Sequence, residues 1–415
     1  MLVRFILAGA AALIAACGPG ARDTPGGDDD DDGDGGIDVT ADARCPTAIT
    51  GKVFAPNGTL PLYNVQVYVP QSDPGPFPEG VQCTRCTSQL PGGALASTLT
   101  DSSGSFRLEG VPTDRDFPVI VTTGKWRRQV TISRVAECQD TALPDGTFRL
   151  PKNRTEGDIP RIAVVTGGCD PLACILPKIG IDATEFSDTS ASDARVVFYK
   201  GQGGNSPGAP QLATELWNNL DELKKFDVVI NSCECDEFNN YKTSPAVLQQ
   251  YADMGGRVLG SHYHYTWMKN LVPAWHDVVS WESGSGIADR IDMSFPKGKA
   301  FAEWLVNAGA SPSLGVIELG HKTWDAGSVV APTTRWLYSP SANGGLETTN
   351  YLSFDTPVGA MPAQQCGKVV FAGMHVSSGT VGTSFPSGCT AAFTADEKAL
   401  VFLLFDLSAC VGVIF

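Results

Sequence analysis

The feature that most constrains this fold is a change of hydrophobic rhythm near Pro160. Before it, apolar residues recur in short runs broken by Gly, Asp and Pro. After it, runs of Val, Ile and Phe alternate with stretches of helical period. A chain of 415 residues is long enough for more than one core. The change in rhythm says that the cores are built differently.

Residues 44–150 read as all-β. Ile49–Phe54 and Val65–Val69 alternate as half-buried strands do, and Pro56-Asn57-Gly58 is a turn. Thr100–Leu108 is a turn opening into a strand, and Val119–Thr122 and Arg128–Ile132 flank Gly124-Lys125 as a hairpin. Short strands at close spacing suggest a β-sandwich. Gly51-Lys52-Val53, Asn57-Gly58, Leu62–Val67, Thr100-Asp101, Gly104–Leu108 and Val111-Pro112 together resemble the carboxypeptidase regulatory-like domain. That resemblance implies a seven-stranded, transthyretin-like sandwich serving as an accessory or binding module. Two features depart from it: an insertion, Gln71–Gly93, and the basic Trp126-Arg127-Arg128 in a late hairpin. Residues 151–160 read as a linker, with Glu156 and Asp158 expected in solvent.

Residues 161–415 read as α/β. Ile162–Thr166, Arg195–Tyr199, Phe226–Asn231, Val258–Gly260 and Lys368–Ala372 are strands, and Pro210–Leu223 has helical period. Ser244-Pro245 opens a helix that Gly255-Gly256 closes, and Phe301, Trp304, Leu305 and Ala308 line another. Thr394–Glu397 is a capping box before Leu400, Leu403, Leu404 and Leu407. Strands alternating with helices imply a largely parallel sheet with ligands at its carboxyl ends.

The N-terminus carries an address. Arg4 precedes the apolar run Phe5–Ala16, which is too short to span a bilayer and has the flanks of a signal peptide. Ile14-Ala15-Ala16-Cys17 resembles the lipobox of bacterial lipoproteins. The resemblance implies removal of residues 1–16, a lipid on Cys17 and a membrane as partner. Gly18, where an Asp would favour inner-membrane retention, points to the outer membrane or cell surface. Residues 17–43 hold the run Asp28–Asp32; like charges with Gly self-repel, so this is read as a disordered tether. A calcium loop is the alternative, without the closing Glu of an EF-hand. The net charge of −15 argues against nucleic acid, which needs clustered Lys and Arg.

The chain has 12 cysteines. With Cys17 set aside, an odd number remains, so one is unpaired or pairs between chains. In an exported protein the others read as disulfides, with Cys45, Cys83, Cys86, Cys138, Cys169, Cys174, Cys366 and Cys389 as candidates. The odd one is expected after residue 161. Cys83-x-x-Cys86 has the spacing of a redox dithiol or half a zinc site. No second pair lies near it, so disulfides to Cys45 and Cys138 are expected. Cys233 and Cys235 are also read as disulfide-bonded; the alternative is a thiolate nucleophile there, with His262 or His375 as its base.

Three strand-ending segments carry reactive side chains: Asn231–Glu237, Gly260–Tyr265 and Gly373–Ser378. Tyr251–His262, Cys366–Phe371 with His375, and Phe226–Ile230 resemble ThuA-like (trehalose-utilisation) proteins. That resemblance implies a flavodoxin-like, three-layer α/β domain of the class I glutamine amidotransferase-like fold. Those amidotransferases hold a cysteine nucleophile at a strand-to-helix elbow. Here that position has Ser261-His262, so glutaminase chemistry is not expected.

Three roles fit these residues. In a hydrolase, Ser261 would be nucleophile and His375 base, oriented by Glu234 or Asp236. In a metal site, zinc by ligand type, His262, His264 and His375 would act with Asp236 or Glu237. His262-x-His264 would share a face on a strand. In the third role they only hydrogen-bond strand ends. Tyr263, Tyr265, Trp267, Trp275 and Trp281 either stack on sugar rings or fill a core. His276 and His321 read as surface or packing residues. The sequence thus describes a lipid-anchored binding or accessory module of the cell envelope, meeting carbohydrate or an envelope protein. A hydrolase at the His262/His375 crevice is the competing class, and a purely structural envelope component the third.

Overall fold

The computed structural model describes residues 45–86, 89–282, 289–323, 325–340, 346–376 and 379–412. Cys17, the acidic tether, Ser377 and Ser378 lie outside the described residues.

The first eight strands are β1 (Ala48–Phe54), β2 (Gln66–Pro70), β3 (Ala94–Leu99), β4 (Ser105–Glu109), β5 (Phe117–Thr123), β6 (Trp126–Ile132), β7 (Asp140–Ala142) and β8 (Phe148–Arg149). They form two four-stranded sheets: β4-β1-β7 with β8 also on β1, and β3-β2-β5-β6. Alternation decides which side chains enter the core. On β4, Phe106 and Leu108 are buried while Arg107 and Glu109 are exposed. Asp101 closes the turn before it, accepting the N–H groups of Ser103 (2.8 Å) and Ser105 (3.0 Å).

A nine-stranded mixed sheet follows, from β9 (Ile162–Thr166), β10 (Phe186–Ser187), β11 (Val196–Lys200), β12 (Val228–Asn231), β13 (Arg257–Ser261), β14 (Arg290–Ile291), β15 (Thr334–Ser339), β16 (Thr348–Thr356) and β17 (Gly367–Ala372). Its order is β10-β11-β9-β12-β13-β17-β16-β15-β14. The strands from β10 to β17 in that order run parallel, and the last three pair antiparallel. Helices α1 (Ile175–Lys178), α2 (Ala213–Trp217), α3 (Leu220–Leu223), α4 (Pro245–Asp253), α5 (Pro296–Asn307) and α6 (Ala395–Ser408) cover it.

The parallel strands are apolar on both faces because both are packed. Ala163, Val165, Val197 and Val229 share a core with Leu216, Leu223, Leu248 and Tyr251 of α2, α3 and α4. Ile162, Val164, Phe198 and Ile230 face the other way, into a core with Phe301 and Trp304 of α5 and Leu400 and Phe402 of α6. That second core continues into Ile49, Val67, Val121 and Trp126 of the first two sheets. Tyr63 stacks on Phe402 (5.7 Å), Trp126 packs on Phe405 (5.8 Å), and Trp304 Nε1–H donates to the Pro61 carbonyl (2.8 Å). Full burial of one such ring is worth about 1.5–3 kcal/mol, so this seam is a substantial part of the fold.

Several expectations need correcting here. Cys83 and Cys86 do not pair with Cys45 and Cys138. Cys45 bonds Cys138, Cys83 bonds Cys366, and Cys86 bonds Cys410. The reason is where the insertion lies: Val81 N–H donates to the Lys224 carbonyl and Cys86 N–H to the Val411 carbonyl. Cys174 bonds Cys389. Glu156 and Asp158 are not free in solvent but partly buried and paired. Arg149 holds Glu156 with two bonds of 2.6 Å, and Arg127 holds Asp158 at 2.7 Å. The helical stretch 210–223 is two short helices, because the Asn219 side chain accepts from Asp221 and Glu222 N–H and starts a new cap. Ser244 makes no side-chain cap bond, whereas the Thr394–Glu397 capping box is formed in full. No helix among the described residues is long and apolar enough to cross a membrane.

Candidate functional site

The carboxyl ends of β9, β12, β13 and β17 converge on one crevice. Gly167, just past β9, lies against the loop after β12; a Cβ there would collide with the Cys233 carbonyl. Cys169 N–H donates to that carbonyl at 3.1 Å, and the Cys169–Cys235 disulfide ties the two loops together. β13 ends at Ser261, and a turn of 3₁₀ helix, His262–Tyr265, follows at once. His262 makes the corner with φ +36°, a left-handed conformation that costs about 1–3 kcal/mol in a residue with a Cβ. Gly260 permits the sharp return, since a Cβ on it would stand 2.9 Å from the His264 Cβ.

Three donors meet at this corner. His262 Nδ1 lies 2.7 Å from His375 Nε2 and 3.5 Å from Cys233 Sγ. One donor atom from each of Cys233, His262 and His375 lies within 4.8 Å of the others. Cys233 is buried and is the free thiol among the described cysteines. Burial, and then His375, pushes His262 down to about 4. Burial, with His321, pushes His375 down as well. Both rings are therefore neutral at pH 7, with lone pairs to offer. Burial pushes the Cys233 thiol up to about 11. On its far side, His262 Nε2 lies 3.6 Å from Asp325 Oδ2.

The other residues expected to act here are placed elsewhere. Ser261 is buried with its hydroxyl 3.4 Å from the Asn231 carbonyl, and no bond joins it to His375 among the described residues. Glu234 does not orient His375; it is sealed in a buried pair with Lys242 Nζ (2.7 Å) and accepts Gln202 N–H (2.7 Å). His264 is not a ligand, because both its nitrogens are used. Its Nε2–H donates to the Ser232 carbonyl (3.0 Å), and its Nδ1 accepts from Trp267 Nε1–H (3.2 Å). The strand that was to put it beside His262 has already ended. Asp236 turns back on its own backbone, accepting Glu237 N–H at 2.7 Å, outside the donor group. Glu237 accepts from Tyr265 Oη–H (2.9 Å) and Asn270 (2.9 Å). His276 is exposed beside Asp277 (2.8 Å). The His321 carbonyl accepts His375 N–H at 3.1 Å, which puts that residue at the crevice after all.

A cleft of about 420 Å³ opens beside His375, lined by Gly167, Asp170, Asn205, His321 and Val376. Asp170 is fully buried and accepts Val376 N–H at 3.3 Å; burial pushes its carboxyl up to about 7. Asp170, Asp325 and the ligand role of Cys233 were missed in the sequence. Only Cys233 carried a signal, through the odd cysteine count and its place at a strand end near His262 and His375; its expected disulfide is not formed, because Cys235 alone pairs with Cys169. On the other flank, Tyr263 lies against His262 (4.0 Å between ring centres). Tyr265 and then Trp281 continue the row at 6.0 and 6.1 Å. Trp267 and Trp275 are core residues.

No family model and no curated protein matches the sequence. Among solved structures, a distant neighbour is a protein described as ThuA-like from Bacteroides uniformis. It is 12% identical with a TM-score of 0.30, over 59% of this chain and 89% of that one. Two type II cohesin–X-dockerin complexes from Acetivibrio cellulolyticus also align. The N-terminal interface mutant is 14% identical with a TM-score of 0.19, over 33% of this chain and 85% of that one. The C-terminal interface mutant is 15% identical with a TM-score of 0.16, over 36% and 79%.

Proposed function

We propose that the crevice is a mononuclear metal centre, zinc by donor type, in a hydrolase acting on sugar-derived or envelope material. The observation that carries this is the meeting of one free thiol and two neutral imidazoles at the ends of three parallel strands. Sulfur and nitrogen donors suit zinc, and three protein ligands leave the open fourth position of a catalytic site. When bound, the ion would supply Lewis-acid activation of water or a substrate carbonyl. Cys233, His262 and His375 would hold it, and Cys233 would give up its proton. The cleft beside His375 would seat the substrate, with Asp170 placed to move a proton at the pH where its carboxyl titrates. Zinc–nitrogen bonds of about 2.0–2.1 Å put two tetrahedral ligands about 3.3 Å apart. The two imidazole nitrogens, now at 2.7 Å, must therefore part slightly on binding.

In this reading the first two sheets are a β-sandwich of carboxypeptidase regulatory-like type and the rest is a flavodoxin-like, ThuA-like domain. The order β11-β9-β12-β13-β17 supports the second half, since such sheets bind ligands outside their carboxyl ends. Cys17 would anchor the protein at the outer membrane or cell surface. The test is metal content of the chain purified without chelator or affinity tag. About one zinc per chain, lost in Cys233→Ser and His262→Ala, is expected. A wild-type protein that takes up no zinc on dialysis overturns the reading.

The aromatic row favours a second reading, a carbohydrate-binding accessory lipoprotein. Tyr263 and Trp281 are partly exposed and lie on either side of the buried Tyr265, so a sugar could stack on these two rings. Glycan binding that survives His262→Ala and His375→Ala but not Trp281→Ala would put this reading first.

A further inference from the structure

We propose that Asp325 is a positioning residue: it fixes the tautomer of His262, so that Nδ1 keeps its lone pair for the ion. This rests on the metal-centre reading of the crevice. A neutral imidazole carries one proton on two nitrogens that point apart, and the group facing each nitrogen decides which one holds it. His262 Nδ1 faces the donors, 2.7 Å from His375 Nε2 and 3.5 Å from Cys233 Sγ. Its Nε2 faces Asp325 Oδ2 at 3.6 Å. That oxygen is buried, and no hydrogen bond reaches it among the described residues.

At 3.6 Å the pair is longer than a hydrogen bond, so the preference it sets is electrostatic. A lone pair on Nε2 would repel the carboxylate; an N–H attracts it. The proton therefore belongs on Nε2, and Nδ1 is left as the acceptor. His375 Nε2–H then donates to Nδ1 in the metal-free protein; for His375 to hold the ion through Nε2, that proton would pass to solvent and His375 would take one up on Nδ1. Carboxylates behind metal-bound histidines set ring orientation and basicity in this manner. The chain comes to this arrangement from a distance. His262 sits on a strained corner after β13, and Asp325 belongs to the segment between α5 and β15, where Thr323 N–H is held by the Gly373 carbonyl at 2.9 Å. The same loop of β17 thus places both His375 and the carboxylate behind His262.

Two measurements on the full chain test this. In the metal-free protein, nitrogen-15 NMR of the histidines is expected to show His262 protonated at Nε2. Asp325→Asn, whose amide can donate to Nε2, is expected to move the population toward Nδ1–H. Zinc affinity by competition with a chromophoric chelator is expected to fall about 10–100-fold in Asp325→Asn. Asp325→Glu is expected to recover most of that loss, and the melting temperature of the metal-free protein should stay close to wild type in both. A wild-type His262 protonated at Nδ1 overturns the proposal even if a variant fails to fold. So does an Asp325→Asn that changes neither tautomer nor affinity. A wild type that binds no zinc yet shows the Nε2–H tautomer, lost in Asp325→Asn, overturns the metal centre and leaves the tautomer control standing.

Discussion

Cys233 and Glu234 are consecutive residues on one loop, and their surroundings are opposites. On the Glu234 side every charge named above is answered. Lys242 Nζ bonds Glu234 and the Glu237 carbonyl, each at 2.7 Å, and lies over the Trp217 ring at 4.8 Å. Glu237 in turn takes Tyr265, Asn239 and Asn270. On the Cys233 side a thiol is unbridged, two imidazoles are kept neutral, and an Asp325 oxygen has no donor. A satisfied buried network holds a backbone in place. An unsatisfied one beside it, on a strained corner, is the arrangement a ligand completes. The loop therefore has a rigid half that aims a reactive half.

The sharpest way to break this comparison is to damage both halves and measure stability. Lys242→Met leaves Glu234 buried and uncompensated, which costs about 3–5 kcal/mol. Cys233→Ser keeps a group that can hydrogen-bond the same partners, His262 among them, and is expected to cost less than about 1 kcal/mol by denaturant unfolding of the metal-free protein. Equal losses in the two variants would mean that Cys233 is an ordinary core residue. A second test cuts the tie between the halves and β9. Cys169→Ser with Cys235→Ser removes a bridge across 66 residues and is expected to cost about 2–5 kcal/mol. It should also weaken zinc binding, because Cys233 then loses its support. A loss of stability with unchanged affinity would show that the donors are held by their strands alone.

The elements were legible where local pattern decides them. Runs such as Ile162–Thr166 and Lys368–Ala372 announce strands buried on both faces, and the loops that end them do carry the reactive groups. What was not legible depends on long-range pairing. Cys235 bonds Cys169, so its near neighbour Cys233 stays free, and nothing in the spacing of Cys233-x-Cys235 says which one is left. Cys83 and Cys86 reach Cys366 and Cys410 because the insertion lies on the nine-stranded sheet's side of the molecule. His264 failed as a ligand because period-two reasoning holds only while the strand lasts, and β13 stops at Ser261. Glu234 was taken by Lys242, eight positions on, in a segment with no periodic signal. Asp325 sits in irregular backbone and becomes visible only once it is seen behind His262.

The smallest effect concerns pH, and it separates two groups within the reactive half. His262 is held down at about 4, below the 6.5 of a free imidazole. As pH falls from 6.5 toward 4 the unfolded chain takes up a proton that the folded chain refuses, so stability is lost across that window and levels off below it. Asp170 is pushed up to about 7 from 3.8, which has the opposite sign. As pH rises through that range the unfolded chain releases a proton that the folded chain keeps, so stability falls toward pH 7. Each shift is worth about 1–2 kcal/mol once local relaxation is allowed for. The two windows overlap, so between about pH 4 and 6.5 the two effects offset one another in the metal-free wild type, and denaturant unfolding of single variants from about pH 4 to 7.5 separates them. His262→Asn should leave a steeper loss of stability as pH rises from about 4 to 7, with His264 and His375, also held low by burial, still opposing it. Asp170→Asn should leave a steeper gain of stability as pH rises from about 4 to 6.5, with Asp396, raised to about 6 by burial, still opposing it. If Asp170→Asn leaves the wild-type profile unchanged, its carboxyl is ionised in the folded protein across this range, and it cannot hold the proton that hydrolysis at this crevice would require of it.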